Sequence, residues 1–449
     1  MARSVLAAPP EGSDLKPVPG APGLPVIGAT FAMMRDPFGY ARRRRERFGP
    51  VSWSNVLFKP MVTLQGPEAA EAVLVNRDKA FANGPAWTYF IGPFFTRGIM
   101  LLDFDEHLHH RRIMQQAFTK SRLRSYMRAM APTIERGVEA WRPGEGFKVY
   151  DRMKELTLDL ATDVFMGVEL EGREAGRING AFIDAVRAGT AYVRAPVPGL
   201  RWHKGLRARK VLERFFYDHL PAKRRDGGDD LFAALCQAQT DDGHRFGDED
   251  VVNHMIFVLM AAHDTSTTTM TTMAYYLAKN PEWQERVREE SLALGKPVLE
   301  FEDLERLPAL DLVMKESLRL LSPVPALPRR TVKDTEVLGF HIPKDTFVIV
   351  PTLTNHYLED YWPEPEKFDP GRFAEDRRED RIHHYAWQPF GGGVHKCIGL
   401  HFAGMQIKSV LHQVLQRYRW SVPADYEWPL DTTSLPRPKD ALPVRLEDI

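Results

Sequence analysis

The feature that most constrains the fold of this chain is an apolar run from about Val251 to Leu277 in a sequence of 449 residues. Three acidic residues at 248–250 precede the run and suit the positive end of a helix dipole. Asn280-Pro281 follows it and predicts the helix end, because the residue before a proline avoids the helical region. Roughly thirty residues at about 1.5 Å each give a helix of about 45 Å, which is long enough to cross a whole domain.

The run could cross either a membrane or a protein core. It contains His254, His263 and Asp264, together with many hydroxyl side chains between Thr265 and Thr272. Charge in the middle of a bilayer is costly, so the sequence favours a helix through a protein core. The N-terminus carries no apolar stretch long enough for a signal peptide or an anchor, and we expect no membrane anchor.

Composition narrows the class further. The 60 basic and 60 acidic residues give a formal net charge of zero, so nucleic acid is not an expected partner. The 2 cysteines do not suggest a disulfide, which fits a reducing compartment, and we expect a cytoplasmic protein. No linker, repeat or low-complexity run divides the chain. The sequence therefore predicts one domain over residues 17–449, after a flexible N-terminus at residues 1–16.

We expect this domain to be mainly α-helical with small β-sheets. Extended segments are few, and Pro50–Leu64 and Val332–Pro351 are typical of short strand ribbons. The second cysteine, Cys236, lies in an apolar segment and is expected to be an inert thiol in a helix core.

Cys397 stands in a glycine-rich segment that runs from Phe390 to Gly399. Two cysteines are too few for a four-cysteine zinc site, and the spacing is not that of a c-type haem attachment. A single thiolate on a tight turn remains, where a large group can lie close to the backbone because glycine has no Cβ.

This segment resembles the haem-binding loop of the cytochrome P-450 family, F-x-x-G-x-x-x-C-x-G, at Phe390, Gly393, Cys397 and Gly399. The resemblance implies the cytochrome P-450 fold, with the long central helix over a haem and the cysteine loop beneath it. It also implies haem b as cofactor and Cys397 as the axial ligand of its iron. The residues of the loop that would line the haem are Pro389, Phe390, Gly391 and Gly399.

Two further motifs match the family's structural cluster. Glu316 and Arg319 match its E-x-x-R and share one helical face. The segment Pro365–Phe373 resembles P-x-x-F-x-P-x-R-F, in which Arg372 completes a Glu-Arg-Arg cluster. Taken alone, E-x-x-R is equally typical of a surface ion pair.

The centre of the long helix resembles the family's oxygen-activation motif over Ala261–Ser266. Ala261 would face the haem, and Asp264 and Thr265 would deliver protons during dioxygen activation. The chain has Ala262 where the family usually has glycine. The simpler interpretation, that the hydroxyls form a packing face, covers most of these threonines, and His263 is expected to be a hydrogen-bonded core histidine.

The resemblance also names groups for the haem carboxylates. His107 and Arg111 lie four apart on one helical face, and His395 precedes the cysteine by two positions. Asp334 selects Arg329 over Arg330 as the arginine of the family's R-x-x-x-x-D. Arginine suits the task because its planar fork matches a carboxylate.

The expected substrate pocket is apolar and aromatic, as ligand pockets usually are. It draws on a loop over residues 87–95, on the central helix and on the turn at residues 324–327. Some of these aromatics would only pack the loop. The side chains expected in the pocket are Trp87, Tyr89, Phe90, Phe94, Met260, Val324 and Ala326.

The resemblance implies a monooxygenase that inserts one atom of O2 into a hydrophobic substrate of the terpenoid, steroid or fatty acid class. Electrons would come from NAD(P)H through a separate ferredoxin and ferredoxin reductase, which would dock on basic residues such as Arg112, Lys120, Arg122 and Lys396. A partner-independent thiolate-haem peroxygenase or isomerase is the alternative. A non-enzymatic haem sensor ranks last, because the Asp264-Thr265 pair would be idle in it.

Overall fold

A computed structural model describes residues 4–25, 27–56, 59–168, 172–191, 193–240, 242–432 and 435–449. The described chain is mainly helical with short strands, which confirms the expected fold class. The helices are α1 Thr30–Arg35, α2 Pro37–Phe48, α3 Pro67–Val75, α4 Gly84–Ile91, α5 Phe104–Gln115, α6 Lys120–Glu139, α7 Val149–Leu160, α8 Gly172–Ala188, α9 Arg201–Asp226, α10 Leu231–Gln237, α11 Asp248–Lys279, α12 Pro281–Ala293, α13 Pro308–Leu320, α14 Thr352–Asn355 and α15 Leu400–Arg417.

The strands of the described residues are all two to six residues long. They are β1 Ser4–Val5, β2 Lys16–Pro17, β3 Pro19–Gly20, β4 Val51–Val56, β5 Lys59–Leu64, β6 Phe81–Ala82, β7 Gly144–Lys148, β8 Leu327–Thr331, β9 Thr335–Val337, β10 Phe340–Ile342, β11 Phe347–Val350, β12 Tyr418–Ser421, β13 Leu430–Asp431, β14 Arg437–Pro438 and β15 Pro443–Asp448.

The chain divides into two compact units. The first comprises Met1–Tyr89 and Leu318–Cys397, and the second comprises Phe90–Ser317 and Ile398–Ile449. The first unit holds a sheet in the order β1-β3-β4-β5-β11-β8-β6 and a second sheet in the order β2-β10-β9. Both expected strand ribbons are therefore present, apart from residues 57 and 58, which lie outside the described part.

The larger sheet of the first unit determines where its functional residues lie. β4 and β5 form an antiparallel hairpin, and β11 joins β5 in parallel with Val348 opposite Val62. β8 then pairs with β11 antiparallel, which places Arg329 opposite Val348. Val62, Val348 and Leu74 of α3 are buried in one apolar core, so α3 covers this sheet. That packing gives the cysteine loop a firm support, because the loop lies against α3.

The second unit is built around α11, which has 32 residues and a length of about 48 Å. It packs against α7, α9, α10, α12 and α15. Trp420 on β12 fixes the strand to this helix by donating from Nε1 to the Ala274 carbonyl at 2.8 Å. The predicted core helix is confirmed, together with its acidic start and its end at Asn280-Pro281. Within the described ranges, no helix is both long and apolar enough to cross a membrane.

Candidate functional site

The cysteine loop is closed by its own backbone. Cys397 N donates to the Phe390 carbonyl at 2.9 Å, and Gly391 N donates to the Gln388 carbonyl at 3.0 Å. A single 3-10 turn at Gly393–His395 lies within the segment that the Cys397–Phe390 bond closes. The side chain of Cys397 is exposed at the end of the loop. The loop therefore presents a thiol on a backbone whose hydrogen bonds fix its position.

Two glycines of the loop are required by the protein's own packing. Gly393 has φ +59°, and a Cβ there would stand 1.8 Å from the Leu74 carbonyl oxygen at the end of α3. A Cβ at Gly392 would lie 2.4 Å from the Tyr385 ring. A Cβ at Gly391 would meet only Leu327, at 3.7 Å. Gly392 and Gly393 thus let the loop press against α3 and Tyr385, and Gly391 is the one with space beside it.

The other loop residues expected at a haem, Pro389, Phe390, Gly391 and Gly399, are all half-buried. His395 is half-buried as well, and its Nδ1 lies 2.8 Å from Nδ2 of Asn83. An amide nitrogen can only donate, so Nδ1 accepts and Nε2 of His395 carries the ring hydrogen. The sequence around Asn83 does not predict this contact, because Asn83 and His395 are 312 positions apart.

Arg329 and Arg330 alternate across β8. Arg329 is buried, with 5% exposure, and donates to the Pro328 carbonyl at 2.9 Å. Arg330 is half-exposed, and its guanidinium lies 3.7 Å from Asp345. The strand therefore buries the arginine that the sequence motif selects and turns the other toward solvent.

Glu316, Arg319 and Arg372 are each buried to within 1% of complete burial. Arg319 donates to the carbonyls of His356 at 2.9 Å and Pro365 at 2.7 Å. Arg372 donates to the Glu364 carbonyl at 2.8 Å and also binds the Glu379 carboxylate at 2.8 Å. The two arginines thus bind the carbonyls of residues 363–367 from within the core, which is what a structural role requires. Because these residues are buried, Glu316 and Arg319 are not a surface ion pair.

The middle of α11 differs from the rest of the helix in exposure. Residues 251–259 and 266–275 are buried, whereas Met260, Ala261, Ala262, Asp264 and Thr265 are partly exposed. The accessible strip therefore coincides with the acid-threonine motif. A helix that crosses a core and becomes accessible at its centre can offer polar groups to a ligand.

Thr265 donates from Oγ1 to the Ala261 carbonyl at 2.7 Å. Thr267, Thr269 and Thr271 make the same bond to the carbonyl four residues earlier. These bonds satisfy hydroxyls inside a helix and can bend it. The packing interpretation therefore covers the buried threonines, and Thr265 is distinguished from them by its partial exposure.

Asp264 is held by two basic partners within the second unit. Its Oδ1 lies 3.3 Å from Nζ of Lys154 on α7 and 3.0 Å from Nδ1 of His263. Burial alone would raise the pKa of Asp264, but the hydrogen bonds and charges of His263 and Lys154 lower that pKa to about 2. Asp264 is therefore an anion at neutral pH. Sequence reasoning missed Lys154, which lies 110 residues away.

His263 is buried, with 2% exposure, and its ring packs edge-on against Phe182. Its Nε2 lies 3.3 Å from the Lys154 carbonyl. The expectation of a hydrogen-bonded core histidine is confirmed. Cys236 is buried in α10, and burial raises the pKa of its thiol to about 11, as expected for an inert residue.

His107 and Arg111 both lie on α5, as expected, with His107 buried and Arg111 half-buried. Their spacing puts them on one face of that helix.

The aromatic residues expected in a pocket loop lie partly on a helix. Trp87, Tyr89 and Phe90 belong to α4, so the expected loop over residues 87–95 is wrong for its first part. Pro85 at the second helical position and Gly92 just beyond the end explain the helix. All three side chains are half-buried, and the Tyr89 ring lies 4.6 Å from Nζ of Lys59.

The remaining pocket candidates fall into two groups. Phe94 is fully buried and packs edge-on against Trp202 at 4.8 Å between ring centroids, which is a packing contact. Met260, Val324 and Ala326 are partly exposed. These three therefore keep surface that a ligand can contact.

The protein is mainly helical and carries an exposed thiol, Cys397, on a packed glycine-rich loop. Its long helix α11 is accessible at its middle, at Asp264 and Thr265. The sequence profile of the cytochrome P-450 family matches residues 18–444. The chain therefore belongs to the cytochrome P-450 family.

Individual relatives agree with this membership. The chain is 48% identical to cytochrome P-450 136 of Mycobacterium tuberculosis over 446 residues, which make up 98% of this chain and 90% of that protein. It is 31% identical to abscisic acid 8'-hydroxylase 2 of Oryza sativa subsp. indica over 90% of this chain and 81% of the relative. The structure of cyanobacterial CYP120A1 with bound retinoic acid matches with a TM-score of 0.84 at 28% identity, covering 96% and 99% of the two chains.

Membership makes the chain a haem-containing monooxygenase, and its residues fit that cofactor. Among the described residues, no three His, Cys, Asp or Glu side chains come together as ligands for a bare metal ion. Iron in a macrocycle needs only one or two ligands from the protein, and an exposed thiol on a loop closed by its own backbone can serve as one. The donor set therefore suits haem.

Proposed function

We propose that this chain binds haem b through the thiolate of Cys397 and inserts one oxygen atom from O2 into a hydrophobic substrate. The observation that carries the proposal is the exposed Cys397 thiol on a loop closed by the Phe390 carbonyl and packed against α3. When bound, a haem held by the Cys397 thiolate would supply the chemistry that cleaves the oxygen–oxygen bond, because a thiolate ligand donates electron density to the iron.

Other residues would bind and orient the cofactor. We assign the haem carboxylates to Arg329, His395, His107 and Arg111. Arg329 is suited because a buried guanidinium loses little hydration when it meets a carboxylate. His395 is suited because its Asn83 contact leaves the ring hydrogen on Nε2, where it can be donated to an anion.

Asp264 and Thr265 would supply protons. The Thr265 hydroxyl has one hydrogen, which it gives to the Ala261 carbonyl in this structure. It must leave that bond to donate elsewhere, and Asp264, kept anionic by Lys154 and His263, can accept a proton from water and pass it on. Ala262, which is partly exposed, stands in the helix where the family usually has glycine.

The substrate class that we favour is terpenoid, with steroids and fatty acids as the alternatives. One solved relative is named for bound retinoic acid and another relative for abscisic acid hydroxylation, and both compounds are isoprenoid acids. The partly exposed Met260, Val324 and Ala326 and the aromatic residues of α4 suit an apolar skeleton. Ligand-induced spin shifts against a panel of retinoids, sesquiterpenes, steroids and fatty acids would rank these classes.

Electrons would come from NAD(P)H through a separate ferredoxin and its reductase. A peroxide-fed enzyme would form product with peroxide alone, and a haem sensor would form none. Dependence of product formation on the reductase therefore separates the three functions.

The experiment that tests the haem assignment is the absorption spectrum of the reduced protein with carbon monoxide. We expect a strongly red-shifted haem band in the wild type and its loss in Cys397→His. Cys236→Ala is the matched control, because it removes the other thiol of the chain, and it should keep the wild-type band. A wild-type band at the position of a histidine-ligated haem, or no bound haem, would refute the assignment.

A further inference from the structure

His356 follows α14 and is completely buried in the first unit. Its imidazole connects two segments that are distant in sequence. Nδ1 lies 3.2 Å from the carbonyl oxygen of Arg319 near the end of α13, and Nε2 lies 3.1 Å from the backbone nitrogen of Gln388. Gln388 stands immediately before the cysteine loop. The ring thus lies between the buried arginine and the chain that leads to Cys397.

The two contacts determine the state of the ring. The Gln388 backbone N–H can only donate, so Nε2 must accept and cannot carry hydrogen. The Arg319 carbonyl can only accept, so Nδ1 carries the ring hydrogen and donates it. Burial and the Arg319 charge lower the pKa of His356 to about 3, so the ring stays neutral at physiological pH. Both nitrogens are therefore committed to one arrangement.

The connection continues into the loop. The Gln388 carbonyl accepts from Gly391 N at 3.0 Å, and the Phe390 carbonyl accepts from Cys397 N at 2.9 Å. Both backbone groups of Gln388 are therefore hydrogen-bonded, the N–H to His356 and the carbonyl to Gly391 N. Backbone hydrogen bonds thus link the imidazole to Cys397 in a few steps.

The other side of His356 is equally fixed. Arg319 donates to the His356 carbonyl at 2.9 Å, and its guanidinium lies 5.3 Å from the centre of the Trp362 ring. Trp362 in turn meets the His356 ring at 6.4 Å and 76° between ring planes. Because these contacts prevent the His356 ring from turning or shifting, the ring can fix the position of the backbone amide that it binds to within about 0.5 Å.

We infer that His356 is a positioning residue for the cysteine loop: its Nε2 holds the Gln388 amide and thereby sets how the Cys397 thiolate is presented to the haem iron. The inference rests on the proposed ligation of haem by Cys397. His356 does not touch the thiol and acts only through Gln388 and the loop backbone.

Two substitutions separate the contacts of the ring. His356→Gln places an amide oxygen where Nε2 stands, so it can still accept from the Gln388 N–H while losing the donor to Arg319. His356→Asn places an amide nitrogen where Nδ1 stands, so it keeps that donor and loses the acceptor. Ser322→Ala is the control: its hydroxyl lies 3.3 Å from Nδ1 and donates to the Leu318 carbonyl at 2.8 Å, so its loss spares both connecting bonds.

The measurements are the carbon monoxide spectrum of the reduced, haem-loaded full chain and the exchange rate of the Gln388 amide. We expect His356→Gln and Ser322→Ala to keep the wild-type band and slow exchange. In His356→Asn, one buried hydrogen bond is lost, and the ratio of thiolate-type to shifted band should fall about tenfold with faster exchange. Should this variant not fold, His356→Met, which fills similar volume without an acceptor, takes its place with the same expectation.

Equal spectra in His356→Asn and His356→Gln would overturn the inference, whether both match the wild type or both are impaired to the same degree, because the Nε2 contact would then have no special role. A wild-type chain without the thiolate band is a different result. It would refute the ligation by Cys397 itself, and the exchange rate of Gln388 would still report whether His356 holds the loop.

Discussion

At the scale of single residues, the threonines of α11 differ in exposure more than in hydrogen bonding. Thr265 and Thr269 both donate to the carbonyl four residues earlier, at 2.7 Å and 2.9 Å. Thr269 is buried with 3% exposure, whereas Thr265 is partly exposed beside Asp264. Only Thr265 of this pair is placed to give its proton to a group outside the helix.

We therefore expect Thr265→Ala to divert electrons into hydrogen peroxide, with product formed per electron falling about tenfold or more, because a positioned proton donor is lost. Thr269→Ala removes the same bond one turn later and should leave coupling near the wild-type value. Product and peroxide are measured against NAD(P)H consumed. Full coupling in Thr265→Ala would remove this hydroxyl from proton delivery.

Asp264 gives a pH-dependent prediction. Because its folded pKa is about 2 against an ordinary 3.8, the anion stabilises the fold above about pH 4, and this contribution of about 2 kcal/mol is lost as the pH falls toward 2. Lys154→Met removes one of the two partners that lower this pKa, so the pKa of Asp264 should rise. The stability difference between wild type and Lys154→Met should be largest above pH 4 and shrink toward pH 2.

Denaturant unfolding at several pH values, followed by circular dichroism, measures this difference. Arg152→Met on the same helix is the control, since Arg152 is half-exposed and pairs with Glu155 at the surface. It should change stability by less than about 1 kcal/mol at every pH. A Lys154→Met difference that stays constant between pH 2 and pH 6 would contradict the assigned pKa shift.

Local motifs in the sequence predict which side chains belong to the site, but they do not predict the distant residues that contact those side chains. Cys397, Asp264 and Arg329 were selected by motif, and the structure gives each a distinct setting: an exposed thiol, a paired carboxylate and a buried guanidinium. Asn83, Lys154 and His356 carry no local signal. Their contacts depend on how strands and helices pack in the folded chain, and this packing cannot be predicted from local patterns in one sequence.

At the scale of elements, prediction succeeded where the pattern was long. α11 was predicted from its apolar run, its acidic start and the proline that follows it, and each boundary agrees with the structure. α4 was missed because three of its eight residues are aromatic, it begins with Gly84-Pro85, and Gly92-Pro93 follows it; Gly-Pro pairs are typical of turns. Eight residues hold too few turns for helical periodicity to decide.

The cysteine loop is the element whose glycines can be tested. Gly393→Ala should destabilise the fold by about 2–5 kcal/mol, because alanine resists a positive φ and its Cβ would overlap the Leu74 carbonyl. Gly339→Ala is the control, since Gly339 has φ +79° with no atom within 4 Å of the added Cβ, and only the conformational cost of about 1–2 kcal/mol applies.

Chemical denaturation of both variants measures these costs, and bound haem per chain reports the loop. We expect haem content to fall in Gly393→Ala and to stay at the wild-type level in Gly339→Ala. Equal destabilisation in the two variants would show that the loop can move away from α3 without penalty.

At the scale of the whole molecule, charge is balanced, with 60 basic and 60 acidic residues. The ferredoxin that we propose as electron donor would therefore have to be attracted by local groups, because the net charge of this chain supplies no long-range attraction. Arg112 at the end of α5, Lys120 at the start of α6 and Lys396 beside the cysteine are exposed. Arg122 differs from them, because it donates to the Gly228 carbonyl at 3.2 Å and so contributes to packing.

We expect Arg112→Glu and Lys120→Glu to slow reduction by a ferredoxin about tenfold at low ionic strength, because charge reversal removes steering and adds repulsion. The difference from the wild type should shrink as salt is added, since screening acts on exposed charges. Stopped-flow reduction at several salt concentrations measures both effects. Arg207→Glu makes the same charge change at an exposed position of α9 and should leave the rate within about twofold. Equal slowing in all three variants would mean that overall charge, and not a defined docking surface, controls reduction.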